Sequence, residues 1–227
     1  MRKLLALIFQ KLGIFHFLVR IATDFQRRRL AKCFRAHGLE TLLRANEAVK
    51  SANARMFLAY GTLLGAFREK NFIPYDFDLD VGMFANERPE NFEKIMAQYG
   101  FSRKRTFYIK ETGQITEDQY EYKGVQIDFF YQFEKDENTL YSYICRQHES
   151  KDWRTANQTD GFPCITWEYE NSDLVTIDFL GHELYIPEKT ESWLRTIYGD
   201  DFMTPIRNKS AANRPISKIR DERLYRK

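Results

Sequence analysis

Ala59-Tyr-Gly-Thr-Leu-Leu-Gly-Ala-Phe-Arg-Glu-Lys-Asn-Phe-Ile-Pro-Tyr-Asp-Phe-Asp-Leu-Asp-Val81 is the stretch whose reading decides the fold. An apolar segment, Arg55 to Ala59, precedes it and reads as a strand that feeds a Gly-Thr turn and a short apolar helix. Glycine has no Cβ and a helix N-terminus carries positive partial charge, so Gly61 and Thr62 are candidates for holding phosphate oxygens. After the Pro74 turn come Asp76, Asp78 and Asp80, at alternate positions. On a strand that spacing puts Asp78 and Asp80 on one face, where two carboxylates repel unless a cation lies between them. Hard oxygen donors suit Mg²⁺ or Mn²⁺. Asp76 reads as a supporting group at the strand entry, and Arg68, near the end of the helix, as a bidentate phosphate ligand or an exposed helix-end cation.

Working outward, Pro89 to Gln98 reads as a helix stopped at Gly100, and Phe101 to Lys110 as extended chain. Gln119 to Tyr122 and Val125 to Phe133 form an expected hairpin about Lys123-Gly124. Its second strand carries Asp128 between Ile127 and Phe129. A carboxylate in such a strand is costly to bury without a partner, and a metal shared with Asp78 and Asp80 would supply one. Thr139 to Cys145 is a further candidate strand, and Leu174 to Phe179 with His182 to Ile186 a late hairpin. Pro187 ends that strand, and Glu188 to Tyr198 reads as a helix stopped by Gly199. The region from His148 to Asn171 gives mixed signals.

The 227 residues suffice for one core, and no repeat or low-complexity linker divides them. The expected class is α+β, a mixed sheet flanked by helices. Its organisation is a basic N-terminal helix over residues 1–30, a catalytic domain over 31–206 and a basic C-terminal tail over 207–227. Leu4 to Ala22 is apolar but interrupted by Gln10, Lys11, His16 and Arg20, so it is not expected to span a bilayer, and no small-residue cleavage pattern follows it. On a helical wheel its basic and apolar residues separate. Two surfaces are compatible with the apolar stripe: an anionic membrane and the protein's own core. A net charge of +3 is too mild to point to nucleic acid. Three scattered cysteines suggest neither a disulfide framework nor a zinc site, which fits a cytoplasmic location, peripheral at the inner membrane face if the N-terminal helix binds lipid.

Strand, Gly-Thr, helix and an Asp-x-Asp strand, followed by a third acidic strand, resemble the nucleotidyltransferase superfamily. Within it, Tyr60 to Arg68 and Phe72 to Asp80 resemble the LicD family, related to the fukutin proteins, whose pattern runs Gly-Thr-Leu-Leu-Gly, an Arg, then Ile-Pro-Trp-Asp-Asp-Asp-Ile-Asp. Ile186-Pro187 before a helix and Tyr198-Gly-Asp-Asp-Phe-Met-Thr-Pro205 match later features. Tyr75 stands for the usual Trp, Phe77 for the middle Asp and Phe202 for Trp. The resemblance implies transfer of phosphocholine or a polyol phosphate from a CDP-linked alcohol donor to a hydroxyl of a cell-surface glycan on a lipid carrier. Asp78, Asp80 and Asp128 would hold Mg²⁺ or Mn²⁺, with Asp128 completing the metal site or taking the acceptor's proton, and Gly61 and Thr62 would bind the diphosphate. Transfer of an NMP to a small molecule or protein, and a silent glycan-binding member of the fold, are the alternatives.

Overall fold

The computed structural model describes residues 15–146, 153–205 and 218–227. Helix α1 (Phe15–Ser51) is followed by the two-residue strand β1 (Phe57–Leu58) and the short helix α2 (Tyr60–Leu64), which widens into a π-turn over Gly65–Glu69. Next come β2 (Asp78–Phe84), α3 (Phe92–Gln98), β3 (Ser102–Ile109), β4 (Ile115–Tyr122), β5 (Val125–Asp136) and β6 (Thr139–Cys145). Helix α4 (Trp153–Gln158), β7 (Phe162–Glu170), β8 (Leu174–Phe179), β9 (His182–Pro187), α5 (Thr190–Tyr198) and β10 (Lys218–Arg226) complete the order. The result is the expected α+β architecture, a large mixed sheet with helices against it.

Alternation along the strands divides the core in two. Leu58 of β1, Leu79, Val81 and Met83 of β2, and Ile127 and Phe129 of β5 join Leu42, Ala45 and Val49 of α1 and Phe92 and Met96 of α3 in the larger cluster. Phe57, one position along, joins Tyr60, Trp167, Tyr169 and Trp193 in the smaller one. Helix α1 buries residues spaced by three and four, such as Leu42, Ala45, Ala48 and Val49, and the chain leaves it through Asn53 in the left-handed region (φ 55).

β1 lies antiparallel to β2 and parallel to β9, while β2 runs parallel to β5. β5 is long enough to take two partners in succession along its length. Its first part pairs with β4 in the hairpin that turns at Lys123 (φ 48) and Gly124 (φ 80), and its last residues pair with β6. Because β6 pairs with β7, β7 with β10, β10 with β3 and β3 with β4, the antiparallel strands β3, β4, β5, β6, β7 and β10 form a closed circuit. Closure removes exposed edges from this part of the sheet.

Two sequence expectations change here. The basic tail expected over 207–227 is not a tail throughout: Lys218–Arg226 is the strand that closes the circuit, with Leu224 and Tyr225 buried. The boundary expected between residues 30 and 31 falls inside one continuous helix, α1, of 37 residues. Residues 1–14, which hold most of the proposed amphipathic stripe, lie outside the described residues. Among the described residues no helix is long and apolar enough to cross a membrane. The segment His148 to Asn171, which gave mixed signals, contributes α4 and β7.

Candidate functional site

The quoted stretch folds back on itself so that its two halves bond directly. The backbone N–H of Gly61 donates to Asp80 Oδ2 (3.0 Å), and the N–H of Asp80 donates to Thr62 Oγ1 (2.8 Å). Gly61 and Thr62 therefore lie in the first turn of α2 and brace the acidic strand. A Cβ at residue 61 would press on the carboxylate of Asp76 and stand 3.2 Å from Asp80 Oδ2. The glycine is what lets two carboxylates approach this backbone. Just before it, Tyr60 holds a positive φ of 40°. Such strain persists where surroundings fix it, and here the Tyr60 hydroxyl meets Ser142 Oγ (2.8 Å) and Tyr169 Oη (3.1 Å) while its ring packs on Phe130 and Trp167.

Asp78 and Asp80 share a face of β2, Asp78 exposed and Asp80 partly buried. Parallel pairing of β2 with β5 sets Asp80 directly opposite Asp128. The row continues: Asp128 faces Gln119 of β4, and Gln119 faces Arg105 of β3. One line of side chains, Asp80, Asp128, Gln119 and Arg105, thus crosses four strands about 4.8 Å apart. Glu117, two residues from Gln119, shares its face and is buried. Arg105 donates from Nε (3.0 Å) and Nη2 (2.7 Å) to Glu117 Oε1, and its Nη2 lies 3.5 Å from Asp128 Oδ1.

The electrostatics follow from this crowding. Burial pushes the Asp80 carboxyl well above the usual carboxylate range, and the charges of Asp78, Asp128 and Asp76 push it further, against the pull of the Gly61 N–H. Asp128 is raised to about 7 by burial and then by Glu117, with Arg105 and a hydrogen bond from Gln119 opposing. Glu117 is raised by burial that outweighs Arg105. Carboxylates perturbed together in this way make the row a candidate functional site.

The acidic oxygens suit a hard divalent cation in kind. As placed, no three His, Cys, Asp or Glu side chains among the described residues form a ready metal cage. Asp128 is turned toward Arg105 and Gln119. The site residues expected from sequence otherwise come together, with one exception. Arg68 donates from Nη1 to the Phe202 carbonyl (2.8 Å) and from Nε to Glu69 (2.8 Å), and the Phe67 ring packs near Phe202 (6.1 Å). It ties the Gly199 to Pro205 turn to the quoted stretch, so its guanidinium is engaged by a carbonyl and, at 8% exposure, is not the exposed helix-end cation that the sequence offered beside the phosphate-ligand reading. Arg105, Glu117 and Gln119 went unread in the sequence. Their signal was an alternating polar pattern, Glu117, Gln119 and Glu121, next to the Asp128 strand, which resembles a solvated edge.

The family model described as LicD/FKTN/FKRP, nucleotidyltransferase domain, matches residues 53–189. That span holds every acidic residue of the row and leaves β10 outside. Among curated proteins, the chain is similar to the ribitol-5-phosphate transferase FKTN of Mus musculus, 23% identical over 182 residues, and to that of Homo sapiens, 22% identical over 182 residues. Each match covers 78% of this chain and 35% of the relative, so the chain spans about a third of the length of those proteins. A stretch of 82 residues is 34% identical to an uncharacterized Caenorhabditis elegans protein, covering 36% of this chain and 21% of that one.

Proposed function

The chain belongs to the LicD/FKTN/FKRP nucleotidyltransferase-domain family, and from that membership and the acidic row we propose that it transfers a phospho-alcohol from a CDP-linked donor to a glycan hydroxyl. The similarity to ribitol-5-phosphate transferases makes ribitol phosphate the first candidate cargo. The observation that carries the reading is the register of Asp80 against Asp128, with Asp78 on the same face. In the reaction, the glycan oxygen attacks the phosphorus that bears the alcohol, the bond to the cytidylyl phosphate breaks, and CMP leaves. The nucleotidyltransferase-like fold proposed for the sheet is the arrangement that would present the diphosphate to this row.

Asp78 and Asp80 would hold Mg²⁺ or Mn²⁺, with Asp128 as the third carboxylate. When bound, such an ion neutralises charge on the transferring phosphoryl group and the leaving phosphate. The chain's own residues supply the rest. Gly61 and Thr62 fix the position of Asp80 through the two bonds described above. Asp128 either completes that metal site or accepts the proton of the incoming hydroxyl. Asp76, whose carboxylate lies beside Gly61, adds its charge to the field around Asp80.

An acceptor on a lipid carrier would place the enzyme at an anionic membrane surface. Ile21 and Phe25 of α1 are exposed, Phe25 to 71%, and Arg27, Arg28 and Arg29 beside them are exposed as well, a combination that suits such a surface. The test of the main reading is to incubate purified protein and Mg²⁺ with CDP-ribitol, CDP-glycerol or CDP-choline and a lipid-linked glycan. Release of CMP, with the alcohol phosphate on the glycan, is the expected outcome. Nucleotide retained on the product would identify nucleotidyl transfer instead, and turnover undiminished by EDTA would remove the metal from the scheme.

A further inference from the structure

The diphosphate of a CDP-linked donor would bring negative charge to a row that already holds Asp76, Asp78, Asp80, Asp128 and Glu117. With Arg68 bonded to Phe202 and Glu69, Arg105 is the cation that hydrogen-bonds to the acidic row among the described residues, with Arg226 acting on Glu117 through its charge. Its placement depends on a local irregularity. Arg103 pairs with Tyr120 and Arg105 with Gln119, so Lys104 is an extra residue in β3, a β-bulge. A bulge bends its strand and redirects the side chain that follows. Without it Lys104, and not Arg105, would stand opposite Gln119 in the row that ends at Asp80.

The guanidinium is also held from two sides. Glu117, whose side chain is 5% exposed, takes both Nε and Nη2 on one carboxylate oxygen, and the Phe107 ring lies beneath the guanidinium at 5.3 Å from its centroid. The Arg105 side chain keeps 28% exposure, and its hydrogen bonds among the described residues use Nε and Nη2 and not Nη1. The Nε and Nη2 side of the fork is anchored on Glu117, with Nη2 also 3.5 Å from Asp128 Oδ1, which leaves Nη1 as the remaining nitrogen. Planar guanidinium with free N–H groups matches two phosphate oxygens at once, which a lysine ammonium cannot do.

We propose that Arg105 is a phosphate-binding residue for the donor's diphosphate, oriented by Glu117 as a positioning residue and aimed by the bulge at Lys104. The inference deepens the transfer reading and rests on it. Phosphate oxygens would take the open Nη1 edge, while the bonds to Glu117 keep the fork in place.

The experiment is calorimetric titration of the full chain with CDP-ribitol, CMP and inorganic pyrophosphate in Mg²⁺, beside steady-state CMP release from CDP-ribitol with a lipid-linked glycan as acceptor. Arg105→Gln is expected to raise the dissociation constants for CDP-ribitol and pyrophosphate about 10- to 100-fold, the scale of a lost charge-assisted pair. Arg105→Lys, which keeps the charge and protects the fold, should recover only part of that loss. Glu117→Gln should weaken binding by a smaller factor and raise KM more than it lowers kcat. A purely structural role predicts a lower melting temperature for Arg105→Gln with unchanged affinity in the folded fraction. That result, or wild-type affinity in Arg105→Lys should the Gln variant not fold, overturns the proposal. Wild-type protein that binds CDP-ribitol yet releases no CMP refutes the transfer reading while the affinity comparison still decides the role of Arg105; failure of the wild type to bind any of the three ligands refutes both.

Discussion

Asp118 and Asp128 sit on adjacent strands, are both buried, and point to opposite faces of the same sheet. Asp118 is surrounded by donors: Arg88 Nη2 (2.8 Å) and Nε (3.0 Å), the Tyr131 hydroxyl (2.7 Å) and the Thr106 hydroxyl. Asp128 has one arginine at 3.5 Å and a hydrogen bond from Gln119, and it faces Asp80, with Asp78 and Glu117 adding their charges. The difference teaches that a buried carboxylate does not by itself announce chemistry. What differs is the balance of charge and donors around it: Asp118 is compensated by the fold, and the Asp80 and Asp128 pair keeps an excess of negative charge.

The comparison can be broken most decisively at Asp80. Asp80→Asn should reduce CMP release about 100- to 1,000-fold, the scale for removing one electrostatic stabiliser of a transition state. Its melting temperature should stay level or rise, because a repelling charge is gone. A variant that loses activity only by unfolding would place Asp80 with Asp118 among the scaffold residues. On the other face, Arg88→Met leaves Asp118 with its hydroxyl donors and no cation. Uncompensated buried charge of this kind costs about 3–5 kcal/mol, so chemical denaturation should show a loss of that size while activity per folded molecule persists.

A third measurement uses pH on metal-free protein. Asp128 is raised to about 7 against an unfolded value near 4, so between those values the folded state binds a proton that the unfolded chain has released. Stability from this group is gained as pH falls through 7 and lost as pH rises through it, by up to about 4 kcal/mol for a shift of about three units. In EDTA the wild type should lose stability from pH 5 to pH 8 relative to Asp128→Asn, which lacks this titration. Parallel profiles for the two proteins would contradict the assignment. The smallest expected effect is at Gly61. A methyl group there meets the carboxylates of Asp76 and Asp80, and Gly61→Ala should lower kcat/KM about tenfold through a displacement of a few tenths of an ångström, with little change in the unfolding midpoint.

Much of this was legible in the chain. The alternate aspartates, the Lys123-Gly124 hairpin and the Gly199 stop each rest on a local rule of spacing or backbone conformation, and the structure places them accordingly. Asp128 was readable as a charge among apolar neighbours. β4 was only partly readable, because Thr116, Glu117, Asp118 and Gln119 are all buried although their sequence suggests water. Their partners come from β3, β5 and the segment before α3, and no local pattern announces partners so distant. Arg105 was hidden for a related reason: in Arg103-Lys104-Arg105 nothing distinguishes the residue that a bulge turns inward. Strand β10 was obscured by its own charge. Lys218, Arg220, Arg223 and Arg226 resemble a solvated end, and only the pairing of Leu224 with Ile109 and Phe162 identifies the segment as part of the sheet.

That strand also sets an order of events during synthesis. Arg226 pairs with Phe107 across more than a hundred intervening residues, and contacts so far apart in sequence form late because the loop between them must close first. On the ribosome, β3 emerges long before the strand that will flank it, so the support behind Arg105 is finished only when residues 218–226 have been made. A nascent chain could carry every acidic residue of the row and still lack the closed circuit that β10 completes.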